Sequence, residues 1–304
     1  MALEVDSRGV PFYREVRITI PRQSGKTTLL LVVEVDRSLA WAGAQRCLYT
    51  AQGRQEARAK LEEQVDLLDR SPLRPLYRMR RQSGHESIRW RTGSTIGITA
   101  SGKESGHGQT LDLAVIDEAF AQVDNRLEQA FRPAMVTRAA AQLWVVSTAG
   151  TDESTFLRDR VDDGRARVEA DERAGVAYFE WSAEPDADPD DPATWWTCMP
   201  ALGRTVSVET IAKDKAAMEA GEFQRAYLNM WVGGGAPVID ASTWAGLADP
   251  RSQPGRILAM GLDVTPSRDY GSIAVASRRP DGRIHVEVVD HRPGTEWIDR
   301  KSVV

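Results

Sequence analysis

Two short runs in this chain, 111–116 and 142–147, are apolar nearly throughout rather than at every second position. A strand without alternation has to be buried on both faces, as it is inside a parallel sheet with helices on either side. The neighbouring segments meet that requirement. Residues 15–20 read as a strand through Val16, Ile18 and Ile20, and 47–50 as another. Residues 26–39 and 55–68 carry helical spacing, the second with Ala57, Leu61, Val65 and Leu68 on one face. Thr92-Gly93 between 86–90 and 94–99 predicts a hairpin, and 125–137 predicts a helix that Pro133 bends or ends. Strands alternating with helices predict an α/β fold with a doubly wound, mostly parallel sheet.

After Gly150 the pattern changes. An acidic, proline-rich stretch at 184–192 reads as an exposed loop, and 208–231 as one or two helices. Gly233-Gly-Gly235-Ala-Pro237 reads as a linker. Beyond it come three expected strands, 257–264, 271–277 and 283–289, the last two joined by Asp281-Gly282. At 304 residues there is room for about two domains. The expected division is a core at 1–150, a helical subdomain or lid at 151–232, a linker at 233–254, and the opening strands of a second α/β domain at 255–304.

The strongest local motif is Pro21-Arg-Gln-Ser-Gly-Lys-Thr27, with a strand leading in and a helix leading out. Such a junction suits a phosphate. Gly25 lets the backbone come close, and the helix N-terminus presents N–H groups and a partial positive charge. Lys26 then reaches the β- and γ-phosphates of ATP, and the Thr27 hydroxyl ligates Mg²⁺. Gln23, Ser24 and Thr28 complete the expected nucleotide contacts. The usual first glycine of such a loop falls at Ile20, so the match is a variant. A bare helix start with an exposed lysine is the plainer alternative.

The second motif closes the first apolar run with Asp117-Glu118. A carboxylate at the strand end, Asp117, holds the metal shell near Thr27, and Glu118 orients or deprotonates the attacking water. An ordinary acidic helix start would use the same pair. The third motif, Ser147-Thr148-Ala-Gly150, ends the second run. Strand ends of an open α/β sheet lie on its ligand side, where Ser147 or Thr148 hydrogen-bonds the γ-phosphate or the water and transmits its loss. A plain strand-end turn is the alternative.

Charge and cysteine content narrow the setting. Net charge is −5, which argues against a passive nucleic-acid coat but not against a local basic track. Seven arginines (70, 74, 78, 80, 81, 89 and 91) stand in one segment with Glu86 as its only acid; a solvated face is favoured over a DNA track. The two cysteines, Cys47 and Cys198, share no motif and suggest no disulfide framework, which fits a reducing compartment. No apolar run reaches the length of about 18 that a membrane span needs, and no signal-peptide core opens the chain.

Together the three motifs resemble the large terminase subunit of tailed bacteriophages, a family that packages double-stranded DNA into a preformed capsid. Arg22-Gln23 before Gly25-Lys26-Thr27, the apolar strand ending in Asp117-Glu118, and Ser147-Thr148-Ala149 all match its pattern in order and spacing. Tyr49-Thr-Ala-Gln52, Trp196 with Pro200-Ala-Leu-Gly203, and 223–231 look similar too. The resemblance implies a P-loop ATPase that uses ATP and Mg²⁺, assembled as a homo-oligomeric ring on DNA with a portal protein and a small terminase subunit. Its setting would be the host cytoplasm, docked on the procapsid, with no membrane contact. It also implies an RNase H-like nuclease domain with divalent metal, in which Asp263 of Met260-Gly-Leu-Asp263-Val264 is the matching ligand and Asp269 assists or caps a turn.

One aspartate cannot build a two-metal site, and the family's other acids come later, so the nuclease is expected to be incompetent in this polypeptide. Only about twenty residues precede the phosphate loop, where the family has an adenine-contacting segment, so weak nucleotide affinity is expected. The trans-acting arginine finger has Ser105-Gly-His107-Gly108 in its place, and its loss costs about 10³- to 10⁵-fold in rate. Lys103 and Arg22 are both candidate cations, between which the sequence does not choose. Two other readings stand beside the motor: a helicase-like nucleic-acid-remodelling ATPase, and a nucleotide-binding fragment without turnover.

Overall fold

A computed structural model describes residues 2–99, 110–122, 124–172, 174–232, 246–249, 251–264, 270–295 and 297–298. The chain forms two compact units, Met1–Ala236 and Pro237–Val304. The expected linker 233–237, the Lys103 and His107 region, and Asp269 lie outside the described residues.

The first unit is built on an eight-stranded sheet. Its strands are β1 (Tyr13–Thr19), β2 (Arg46–Thr50), β3 (Tyr77–Arg80), β4 (Ser87–Trp90), β5 (Thr95–Ile98), β6 (Leu113–Ile116), β7 (Gln142–Ser147) and β8 (Gly175–Glu180). They lie in the order β3-β4-β5-β2-β6-β7-β1-β8. From β5 to β8 every pairing is parallel, and β3 and β4 extend the sheet antiparallel at one end.

Burial on both faces, inferred from the apolar runs, is what β7 displays. Trp144 and Val146 enter one core, under α1 (Lys26–Ala40) and α2 (Arg54–Asp69). Leu143 and Val145 enter the other, under α3 (Arg126–Met135) and α4 (Thr155–Glu169). Three shorter helices, α5 (Pro192–Cys198), α6 (Val208–Ala217) and α7 (Ala220–Leu228), gather a third cluster around Trp195, Cys198, Ile211 and Phe223.

An ion network fastens α3 and α4 to β1. Arg17 binds the buried Glu15 at 2.6 Å and reaches Asp163 of α4 at 2.5 Å. Arg132 of α3 binds Glu15 at 2.6 Å, and Glu128 takes both Arg132 and Arg160. Buried ions need this pairing, because removing one partner strands the other charge.

Several expectations change in detail. The strand expected from 111 starts only at Leu113: Leu111 N–H turns to the Ala134 carbonyl, while Asp112 still meets both neighbours through its backbone, to the Arg46 carbonyl at 2.9 Å and from Gln142 N–H at 3.0 Å, and its carboxylate accepts Arg46 N–H at 2.8 Å. Pro133 lies within α3, which ends two residues later. The arginine segment contributes a strand, β3, and an edge strand, β8, and a helix, α4, form where no element was expected. The 208–231 stretch resolves into two helices.

Glu34 of α1 is fully buried, and its Oε2 accepts the Gln64 amide of α2 at 2.9 Å. Burial pushes its carboxyl up to about 8. A raised folded-state value makes the neutral acid the stabilising form. Stability from this site is greatest below the ordinary carboxylate range and is lost as pH climbs toward 8. Glu34→Gln keeps the neutral shape, so its urea midpoint is expected to change less between pH 5 and pH 8.5 than that of the unmodified chain. An identical pH slope in both proteins would show that Glu34 does not titrate there.

The second unit contains an antiparallel meander of β9 (Arg256–Val264), β10 (Tyr270–Arg278) and β11 (Ile284–Pro293), ordered β11-β10-β9. Ile257, Leu258, Met260 and Leu262 on β9, and Ile284, Val286 and Val288 on β11, are exposed. Among the described residues no helix is long and apolar enough to cross a membrane.

Candidate active site

β6, β7 and β1 are consecutive parallel neighbours, so their C-terminal ends share one edge of the sheet. Each end carries one of the three motifs, and Ile20 N–H donates to Ser147 at 3.0 Å to hold two of them together.

The loop after β1 turns through two left-handed residues, Gln23 (φ 59) and Gly25 (φ 83). Glycine takes this conformation without the Cβ penalty. Gly25 is also the N-cap of α1, and no side chain caps that end or places an acid in its first turn. Uncapped N–H groups at a helix start are an anion site, and an acid there would oppose the ligand. Thr27 is half-buried at this end, Thr28, Gln23 and Gly25 are exposed, and the Ser24 hydroxyl turns back toward the Arg22 carbonyl at 3.5 Å.

The Lys26 ammonium donates to Thr148 Oγ1 at 2.8 Å and to the Pro21 and Ile20 carbonyls at 3.3 and 3.4 Å. Burial lowers its proton affinity, while the nearby Glu118 and Asp117 charges act the other way. Arg22 is tied to α7: its N–H donates to Ala226 at 2.7 Å, and its guanidinium lies 3.2 Å from Glu222.

Asp117 is buried and held from two directions. Tyr49 of β2 donates to its Oδ2 at 2.5 Å, and Glu118 N–H to its Oδ1 at 2.9 Å. Burial raises its pKa, and these two hydrogen bonds and Lys26 oppose the rise. Glu118 also lies above the usual carboxylate range, chiefly through burial, with Lys26 opposing and Asp117 adding. Its backbone is left-handed at φ 52, a conformation that costs an ordinary residue about 1 kcal/mol or more.

Ser147 and Thr148 are fully buried. Thr148 meets Lys26, whereas the Ser147 hydroxyl donates to the Thr148 carbonyl at 2.7 Å and accepts Phe120 N–H at 3.0 Å. Ala149 connects onward: its N–H donates to Asn229 Oδ1 at 2.6 Å, and its carbonyl accepts Arg225 at 3.4 Å. Sequence reasoning reaches Tyr49, Arg225 and Asn229 only inside similar-looking segments, with no role assigned, and misses Phe120, Ser154 and Glu222. None of these carries a local pattern; they meet the motifs only through the fold.

Asp263 is exposed near the end of β9, opposite Ser272. No group of three or more His, Cys, Asp or Glu side chains suited to a metal occurs among the described residues. In the arginine segment, Arg74 pairs with Asp69 at 2.6 Å and Arg81 with Glu62 at 2.8 Å, while the exposed Arg78 and Arg89 stand opposite each other across β3 and β4.

Residues 8–163 match the family model for the terminase large subunit, ATPase domain, and residues 172–296 that for the terminase large subunit, endonuclease domain. The endonuclease match therefore starts before the boundary between the two compact units. The terminase large subunit of Enterobacteria phage HK97 is 28% identical over 196 residues, covering 61% of this chain and 37% of that protein. The crystal structure of the HK97 bacteriophage large terminase shares the fold at a TM-score of 0.62 and 21% identity, over 91% of this chain and 59% of that one. The large terminase from the thermophilic bacteriophage D6E, in complex with ADP, does so at 0.54 and 12%, over 96% and 68%. The chain thus spans less than two thirds of the HK97 protein's length.

Proposed function

This chain belongs to the terminase large-subunit family, and we propose that it is an ATP-hydrolysing motor subunit that translocates double-stranded DNA into a procapsid. The observation that carries the reading is the convergence of Lys26, Asp117, Glu118 and Thr148 at the ends of three adjacent parallel strands.

The uncapped start of α1 and the Lys26 ammonium receive the phosphates of ATP; the D6E large terminase has solved structures in complex with ADP and with ATP-gamma-S. The Thr27 hydroxyl and the Asp117 carboxylate suit a Mg²⁺ ion, which when bound neutralises charge building on the phosphates. Tyr49 fixes one Asp117 oxygen and leaves the carboxylate a single orientation. Lys26 exchanges its contacts with Thr148 and the Ile20 and Pro21 carbonyls for phosphate oxygens. Glu118 accepts a proton from the attacking water, a role that its raised proton affinity favours. The freed Thr148 belongs to the same turn as Ala149, whose hydrogen bonds run to Asn229 and Arg225 at the end of α7. Changes at the phosphates thereby reach the helical cluster. In a ring around duplex DNA, motion of that cluster would move the duplex through phosphate contacts, without base readout.

Double-stranded DNA, a portal protein, a small terminase subunit and further copies of this chain are the proposed partners, and a procapsid in the host cytoplasm the proposed location. The family's nuclease chemistry would use divalent metal at Asp263 together with further acids.

The test is steady-state ATP hydrolysis by the purified chain, with and without duplex DNA, beside Lys26→Ala. Turnover that rises with DNA and falls at least about 10²-fold in the variant is expected. Bound fluorescent ATP without turnover would favour the binding-only reading, and turnover independent of Lys26 would sink the site assignment.

A further inference from the structure

The turn that carries Glu118 is clamped at both backbone polar groups of one residue, Phe120. Phe120 N–H donates to Ser147 Oγ at 3.0 Å, and the Phe120 carbonyl accepts from Ser154 Oγ at 2.7 Å. Ser147 belongs to the third motif; Ser154 belongs to none.

Ser154 is the N-cap of α4, a position where serine normally turns its hydroxyl to the exposed N–H groups of the first helical turn. Ser207 and Asp191 do this at α6 and α5. Ser154 makes no such bond to its helix. Its hydroxyl points away, donating to Phe120 and accepting Thr151 N–H at 3.2 Å. The residue is buried, and Gly150 leaves it space: a Cβ at Gly150 would lie 2.3 Å from Ser154 Oγ and 3.1 Å from the Trp231 ring. Backbone and side chains are therefore arranged to bring this hydroxyl to Phe120, two residues from a glutamate held at φ 52. A strained residue persists only where its surroundings over-determine it, and here they do so from β7 on one side and α4 on the other.

We propose that Ser154 is a positioning residue for Glu118: it fixes the Phe120 carbonyl and so holds the strained turn that aims the carboxylate, linking α4 to the hydrolytic centre. The inference rests on the reading of Glu118 as the group that activates water.

Ser154→Ala in the full chain separates this role from capping. Two readouts are needed: backbone hydrogen exchange across 118–122, and kcat against KM for ATP. Ser207→Ala, which removes a true cap at α6, is the control. Losing one buried hydrogen bond is expected to speed exchange at 118–122 and to lower kcat, each roughly tenfold, with KM within about twofold. Ser207→Ala should leave 118–122 and kcat unchanged. If Ser154→Ala does not fold, Ser154→Cys keeps the volume with a weak donor and is read the same way.

Unchanged exchange at 118–122 in a folded variant overturns the proposal, as does faster exchange with kcat unaltered. If the unmodified chain shows no Lys26-dependent turnover, the motor reading fails. The exchange comparison then still decides whether Ser154 holds the turn.

Discussion

Glu118→Gln is expected to bind fluorescent ATP as tightly as the unmodified chain and to hydrolyse it about 10²- to 10⁴-fold more slowly. The amide keeps the volume of the carboxylate and can still hold a water, but it cannot take a proton. Asp117, Lys26 and the α1 N-terminus are untouched, so ground-state binding has no reason to fall. The pH profile gives a second reading. Burial raises the proton affinity of Glu118, and the base works only when ionised. Turnover by the unmodified chain should therefore rise with pH along a limb set above the ordinary carboxylate range. The residual rate of the variant should lack that limb. A variant that turns over at the unmodified rate would move the catalytic role to another group.

Trp144→Ala is expected to cost about 3–5 kcal/mol of stability, whereas Trp144→Phe should cost less than about 1.5 kcal/mol. Trp144 lies at the centre of β7, 2% exposed, packed in the core under α1 and α2. Truncation leaves a cavity that the rigid strands on either side cannot close. Phenylalanine fills most of it and removes an indole N–H that is buried without a hydrogen-bond partner, so part of the lost packing is offset. Urea midpoints of the three proteins, with the slope checked for constancy, give the comparison. Equal losses for both variants would mean that the indole N–H is satisfied or that the site collapses.

The interior of the sheet was legible because burial on both faces leaves a compositional trace: an uninterrupted apolar run is readable wherever it occurs. The phosphate loop and Asp117-Glu118 were legible because their chemistry is local. β8 was not, because an edge strand has only partial burial; of its residues, Ala177 alone is buried. α4 escaped because its buried face of Phe156, Leu157, Val161 and Gly164 is interleaved with arginines and aspartates that serve the ion network with β1 and α3. Within the site, the residue types could be named but not what each side chain touches. Ser147 looked like a phosphate contact and is occupied by backbone; Ser154 looked like nothing and holds the turn beside Glu118.

The order of strands has a consequence for how the chain is made. β1 emerges first, yet its register partners are in β7 and β8: Glu15 lies beside Leu143 and Val176. At ordinary elongation rates the ribosome needs on the order of ten seconds to deliver those neighbours. Through that interval Val16 and Ile18, which end up in the core, have no sheet to join, whereas β2 meets its first partner, β5, earlier. Closing such distant pairs is slow even after release. Yield in a cell should therefore respond to growth temperature and to chaperones that shield nascent chains, more than the stability of the finished sheet would suggest.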